Sequence, residues 1–484
     1  MRGDPRSGGS ERATLRKAVG AGQFFTIAFG TIIGVGWVIY LGYWLEPAGP
    51  LGAVIGFSAG TVLVALIGLC YAEMAAMFPV SGGEVAYTYE AFGTGVSFIT
   101  GWLLAFIYTA VTAWEAIAVG VLARDLFPGW VGPRLYAAFG APVHVGPLVL
   151  GLAAMAFFTT LNYRGLRGAA RVQDVLTYGF LAVSVLFIGA GLVYGDVDNL
   201  TPAFVRSDSG SVLPGIVAAF ITAPFFLAGF DVIPQVMEER KDETPPDRAA
   251  RMIVLALAAA GVFYVLVILS ASLVAPWERL LEYESLPAAR AFDQAFDSAV
   301  LSRAILVAAF IGILTTFNAV FMGASRVLFA LSRAHMIPTQ LSWVHPRFDS
   351  PGAAVLFVGL LGALGVVLGE GAIRPVVNVA TMGFGIAFGL VSWGVIRLRR
   401  RRPDAHRPYR VPGGIATASA AVLASGLFVY LAATDPYEAG GGIPLEWILL
   451  AVALGLGWCF WLGGSRPRAT ITEDDRRRLI LGSE

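Results

Sequence analysis

The sequence predicts an all-α polytopic membrane protein of twelve transmembrane helices, with the first and the sixth broken. Three observations carry this. Of the 484 residues, 57% are hydrophobic and 14% charged, against roughly 25% charged in soluble domains. Apolar runs of about 20 residues, enough to cross a bilayer as a helix, recur along the whole length. Two of these runs are interrupted in their middle: one by Gly30-Thr31-Ile32-Ile33-Gly34-Val35-Gly36, the other by Pro224-Phe225-Phe226-Leu227-Ala228-Gly229-Phe230-Asp231. Backbone without helical partners is costly in hydrocarbon and survives only where protein or a cavity satisfies it. Breaks at matching places in two halves are how many membrane carriers build a site near mid-membrane.

In chain order the expected spans are 21–45, 51–78, 96–122, 145–163, 170–194, 213–237, 250–275, 300–333, 353–369, 372–396, 412–433 and 444–464. Span 1 holds the first break. Span 2 carries Gly52, Gly56 and Gly60, a small-residue stripe for close helix packing. Span 6 holds the second break, with Pro224 and Pro234 removing helix donors on either side of it. The chain divides into an N-tail (1–20), a core of two halves (21–194 and 213–396), a loop with two more helices (397–464) and a C-tail (465–484). The first span serves as its own insertion signal, because no short apolar core with a cleavage site precedes it.

An even number of spans puts both termini on one side. Of the 34 Lys and Arg, the opposite side holds only Arg124, Arg134, Arg206, Arg279, Arg290, Arg303 and Arg374. Basic residues mark the cytoplasmic face, so both termini are expected there, in the cytoplasmic membrane. The net charge of +1 gives no reason to expect a nucleic-acid partner. Cys70 and Cys459 sit inside apolar spans and form no disulfide or metal pattern. The absence of a phosphate loop argues against an ATP-driven pump. The four histidines have no catalytic partners, no nucleophile elbow or zinc motif occurs, and no cofactor or metal is expected.

Four places could carry chemistry. In span 1, a half-helix starting near Gly36 would offer free N–H groups and a positive dipole end to a carboxylate; carbonyls ending the preceding half-helix suit an ammonium or a cation. In span 6, Asp231 is either a carboxylate inside the membrane, and so functional, or a solvated residue beyond an earlier helix end. Glu115 lies deep in span 3, about 13 Å along the helix from Arg124. With Tyr108 and Thr112 it forms a polar stripe that should point inward. It is either the counter-charge for a substrate ammonium, a proton carrier or a buried structural acid. Thr315 and Thr316, with Asn318, bring polarity to span 8. They matter for an ion only if that span faces the first break, since threonines in spans usually bond back to their own helix. Glu73, near the end of span 2, reads as an interfacial or gate residue.

The chain resembles the amino acid–polyamine–organocation permeases over about residues 20–464. Gly30 to Gly36 is similar to that family's first-span G-[ST]-x-[IM]-G-x-G signature. Phe78-Pro79-Val80-Ser81-Gly82-Gly83, with Tyr87 and Ala91-Phe92-Gly93, resembles its P-x-[SA]-G-G loop. Gly229-Phe230-Asp231 followed by Glu238-Glu239-Arg240-Lys241 resembles its sixth span. Asn318-Ala319, Ser325-Arg326-Val327-Leu328, Ile337-Pro338, His345-Pro346-Arg347-Phe348 and Arg407-Pro408-Tyr409-Arg410-Val411-Pro412 complete the series. The resemblance implies a leucine-transporter-like fold, in which spans 1–5 and 6–10 form an inverted repeat and spans 11 and 12 are peripheral. It implies substrate contact at Ile32, Gly34, Val35 and Gly36 and at Phe225, Ala228 and Gly229, with Phe225 as an aromatic lid. Some proton-coupled members carry a lysine in span 5; here Phe180 holds that place.

These features lead to the expectation of a secondary transporter, not an enzyme. It would move an amino acid or related organic amine, driven by a proton or sodium gradient or by exchange. A sensor or accessory subunit that binds an amine without moving it is the alternative.

Overall fold

The computed structural model describes residue 15 and residues 17–34, 36–282, 299–434 and 443–482. Val35, most of the N-tail and the end of the loop that runs to Asp297 lie outside the described residues. Ten helices among the described residues are long and apolar enough to cross a membrane, and two shorter apolar ones, Ala21–Ile32 and Gly352–Val366, join them. The fold is that of a polytopic all-α membrane protein.

Both expected breaks are present. Helix Ala21–Ile32 stops at a bend over Ile33 and Gly34, and helix Gly36–Met77 follows. That second helix is two helices joined across a kink at Gly49, whose φ is +68°, between Pro47 and Pro50. Two missing N–H donors and one left-handed residue account for the kink, and they separate expected spans 1 and 2 where the sequence placed the boundary. Helix Leu213–Leu227 ends at Ala228 in extended conformation, Gly229 takes a φ of +122°, and helix Val232–Val236 resumes the path. The two breaks touch. A Cβ on Gly229 would fall 2.8 Å from the Ile32 nitrogen and 2.8 Å from the Thr31 Cβ.

The glycine stripe packs as expected. A Cβ on Gly56 would meet the Ile216 carbonyl at 2.5 Å, and one on Gly60 would meet the Ala223 Cβ at 2.3 Å. Helix Leu213–Leu227 therefore lies directly on the stripe. An aromatic cluster fixes the same corner. Trp44 packs on Phe57 at 4.6 Å and on Phe226 at 4.9 Å, and Phe57 stacks on Tyr264 of helix Pro246–Val274 at 5.0 Å. Each such pair adds about 0.5–1.5 kcal/mol beyond its buried area. The Trp44 indole N–H donates to Thr222 Oγ1 at 3.1 Å, so burial leaves its polar edge satisfied.

Three features were not anticipated. Helix Gly83–Phe92 follows the P-V-S-G-G segment and is buried along most of its length. Strands Arg134–Ala138 and Ala141–His144 pair as an antiparallel hairpin between helices Thr94–Leu126 and Val145–Tyr163. Helix Glu473–Leu481 of the C-tail is capped by the Thr472 hydroxyl, which accepts from the Asp475 N–H. These segments are short or polar, so hydropathy does not reveal them.

Candidate functional site

A cavity lies where the two breaks meet. Thr31, Ile32 and Gly34 line it from the first break, and Phe225, Phe226, Ala228 and Gly229 from the second. Tyr108, Val111, Trp114 and Glu115 face it from helix Thr94–Leu126, Tyr264 from helix Pro246–Val274, Thr316 and Val320 from helix Ala299–Arg333, and Phe384 from helix Ile373–Arg401. It leaves about 30 Å³ for the centres of water-sized spheres, room for roughly two waters. The walls must part for a larger guest.

Glu115 is the acid of this cavity. It is buried, and its Oε2 has no hydrogen-bond partner among the described residues. Of the expected polar stripe, Tyr108 and Glu115 reach the cavity, while Thr112 bonds back to the Tyr108 carbonyl at 2.6 Å. Phe225 lies edge-on to Trp114, with centroids 5.9 Å apart, so an aromatic pair forms part of the cavity wall.

Asp231 sits elsewhere. It is fully buried, which removes the reading of a solvated residue past the helix end. It does not line the cavity, and both its oxygens are occupied. Oδ1 accepts the Gly229 N–H at 2.7 Å, and Oδ2 accepts the Tyr108 hydroxyl at 2.5 Å. Its carboxylate thus holds a donor freed by the break and ties it to the neighbouring helix, the satisfaction that an interrupted helix in hydrocarbon requires.

At the first break, the Ile32 carbonyl accepts the Tyr264 hydroxyl at 3.0 Å. Thr316 reaches the break, with Oγ1 3.4 Å from both the Gly30 and the Gly312 carbonyls. A Cβ on Gly34 would fall 2.3 Å from that same oxygen. Thr315 bonds back to Gly312 at 2.6 Å and does not line the cavity. Gly36 begins the second half-helix, and Phe180 is absent from the lining. Phe180 is buried against Gly312, whose added Cβ would lie 3.0 Å from its ring.

Sequence reasoning did not single out Trp114, Tyr264, Phe226, Val320 or Phe384. Aromatic and aliphatic residues in spans are the background, so only their convergence marks them. Glu73 accepts Arg399 Nε at 2.9 Å and the Val411 N–H at 2.8 Å, which makes it a buried tie between the end of helix Gly36–Met77 and the region after helix Ile373–Arg401.

The face that carries the tails is closed by ion pairs. Arg326 Nε donates to Glu239 at 3.0 Å with both groups buried, and Arg333 holds Glu238 through two bonds of 3.0 and 2.9 Å. The N-tail lies on the same segment. The Ala18 and Val19 N–H groups donate to the Glu239 carbonyl at 2.7 and 2.9 Å, and the Lys241 N–H donates to the Val19 carbonyl at 2.9 Å.

Two broken helices around a buried cavity, within a bundle of apolar helices, define a membrane transporter rather than an enzyme. The chain belongs to the amino acid permease family, whose pattern matches residues 21–454. It is 29% identical over 422 residues to the branched-chain amino acid permease BcaP of Bacillus subtilis (strain 168), covering 84% of this chain and 85% of that one. It is 28% identical to the methylthioribose transporter of the same organism, covering 83% and 86% of the two chains. To the human Asc-type amino acid transporter 1 it is 28% identical over 472 residues, covering 95% and 85%.

Proposed function

We propose that this amino acid transporter is a secondary active carrier of the cytoplasmic membrane, and that it holds the ammonium group of its substrate at Glu115. The observation that carries this is a buried carboxylate facing the cavity between the breaks, with one oxygen left unpartnered. A buried acid of this kind gains most from a cation that arrives and leaves. The aromatic and aliphatic walls suit a neutral side chain, in keeping with a relative named as a branched-chain amino acid permease. The substrate carboxylate belongs at the start of the Gly36 half-helix.

The same reading has twelve crossings, arranged as two inverted five-helix halves (21–194 and 213–396) with two peripheral helices, and both termini cytoplasmic. For the driving ion, we favour the proton over sodium. Phe180 fills the space beside Gly312 with hydrocarbon, which offers a cation no ligand. Asp231 acts as the strut of the second break rather than as a substrate ligand.

The test is a thermal-shift screen of the twenty amino acids and of simple amines on purified protein, because a ligand that binds only the folded state raises the melting temperature. The compounds that shift it are then assayed for uptake into liposomes. Stabilisation by amino acids together with uptake is the expected result. Binding without flux would identify a sensor or accessory subunit instead.

A further inference from the structure

A second group of buried acids lies between the cavity and the tail side. It centres on Glu84, the second residue of helix Gly83–Phe92. Glu84 is fully buried, although the sequence places it in a connection between spans. Gln235 donates to Glu84 and, at 3.3 Å, to the Asp231 carbonyl. Asp231 in turn accepts the hydroxyl of Tyr108, which lines the cavity. Polar groups therefore run from the cavity through Tyr108 to the Asp231 carboxylate, and from the Asp231 backbone carbonyl through Gln235 to Glu84.

The path holds two carboxylates, and neither makes an ion pair among the described residues. The groups facing Glu84 are Tyr71 from helix Gly36–Met77, Tyr87 from its own helix, and Asp231 and Gln235 from the second break. Two arginines of the adjoining helix Ala299–Arg333, Arg326 and Arg333, are taken by Glu239 and Glu238. The Tyr71 hydroxyl faces Glu84, and among the described residues Gln235 Oε1 and the Tyr87 hydroxyl are buried without partners. The tyrosine hydroxyls can donate to a carboxylate oxygen but bring no positive charge to balance it. Two carboxylates near one another in a dry site are costly to keep ionised together. Burial, with the Asp231 charge adding to it, pushes the Glu84 carboxyl well above the usual carboxylate range.

We propose that the Glu84–Asp231 pair is a proton-binding site of the carrier, and that its occupancy controls the tail-side gate. One proton from the medium adds to a carboxylate oxygen and takes the pair from two negative charges to one; release returns it to the medium on the tail side. Helix Gly83–Phe92 docks on the resumed half of the second break. Ser81 Oγ donates to the Gln235 carbonyl at 3.0 Å, the Ser81 N–H donates to Glu238 at 3.1 Å, and a Cβ on Gly83 would lie 2.4 Å from the Pro234 Cβ. With the proton, the two elements stay together. Without it, the two charges repel across Gln235 and the gate loosens. An inward proton gradient would then drive the cycle.

The gating half of this inference rests on the transporter reading, whereas the proton-binding half does not. Infrared spectroscopy of the full-length protein at neutral pH tests the second half without any substrate. A protonated-carboxyl band should be present, should persist in Glu115→Gln, and should vanish or shift in Glu84→Gln or Asp231→Asn. A band that is lost in Glu115→Gln, or that is unchanged in both of the other variants, overturns the proposal. Melting curves identify a variant that does not fold, and Glu84→Asp, which keeps a carboxylate, should keep the band. In liposomes, the amino acid found by the thermal-shift screen should still exchange through Glu84→Gln but no longer accumulate under a pH gradient. Accumulation at the wild-type level, with an unchanged pH profile, overturns the gating role. If the wild-type protein moves no amino acid at all, the transporter reading fails and the infrared result still decides the proton site.

Discussion

Among single residues, Glu115 and Glu84 show where a sequence is legible and where it is not. Glu115 could be read because it interrupts a long apolar run, far from any edge it could reach. Glu84 could not be read, because its burial comes from packing of a short helix that hydropathy assigns to a loop. Its one signal was an acid followed by Val85, Ala86 and Tyr87, an apolar surround unusual for an exposed connection. Asp231 lies between these cases. Its presence in the second break was legible, but its strut role depends on a tyrosine more than a hundred residues away. For Glu115, replacement by glutamine should weaken amino acid binding by about 2–5 kcal/mol, the usual cost of breaking one side of a buried charge pair. Isothermal titration in detergent measures this, and unchanged affinity would remove Glu115 from the site.

For elements, the paired breaks were the most legible feature, since clustered glycines and prolines weaken a helix at matching places in the two halves. What covers them was not legible. The Tyr264 hydroxyl on the Ile32 carbonyl and the Arg326–Glu239 pair come from helices whose sequences give no sign of their neighbours. The pair ties helix Ala299–Arg333 to the segment after the second break. Removing one partner of a buried pair costs about 3–5 kcal/mol, whereas replacing both with apolar groups is often neutral. Arg326→Met should therefore lower the melting temperature clearly, and the double variant with Glu239→Met should recover much of it. Equal losses in the single and the double variant would show that the pair is not a coupled unit.

Across the whole molecule, the order and hydropathy of the spans were readable, and the C-tail was not. Its last helix packs back on the bundle, where Tyr89 donates to Glu473 Oε1 at 2.9 Å. This region meets His335, whose pKa burial lowers below the ordinary value, with Arg476 adding to the effect and the Pro467 carbonyl opposing it. The unfolded chain then binds the proton more readily than the folded one. Stability is fully present above about pH 6.5, the ordinary histidine value, and falls as the pH drops through the lowered folded value. His335→Asn suits the positive φ of 58° at this position and should flatten the fall in melting temperature between neutral and mildly acid pH. Parallel curves for the variant and the wild type would show that His335 does not contribute.

The short pairing of Val19 with the segment around Arg240 has a consequence for timing. The tail runs straight into the first half-helix, and its partner segment follows directly on the second, so three backbone hydrogen bonds tie the two together. If the half-helices part in the proposed cycle, these bonds break and re-form with them. That work would then set a pace independent of how tightly the amino acid is held. Val19→Pro removes one of the donors and should speed exchange while leaving affinity unchanged, as tracer flux and titration on the same preparation would show. A protein or tag that grips the first residues would act in the opposite sense, as a brake on the cycle.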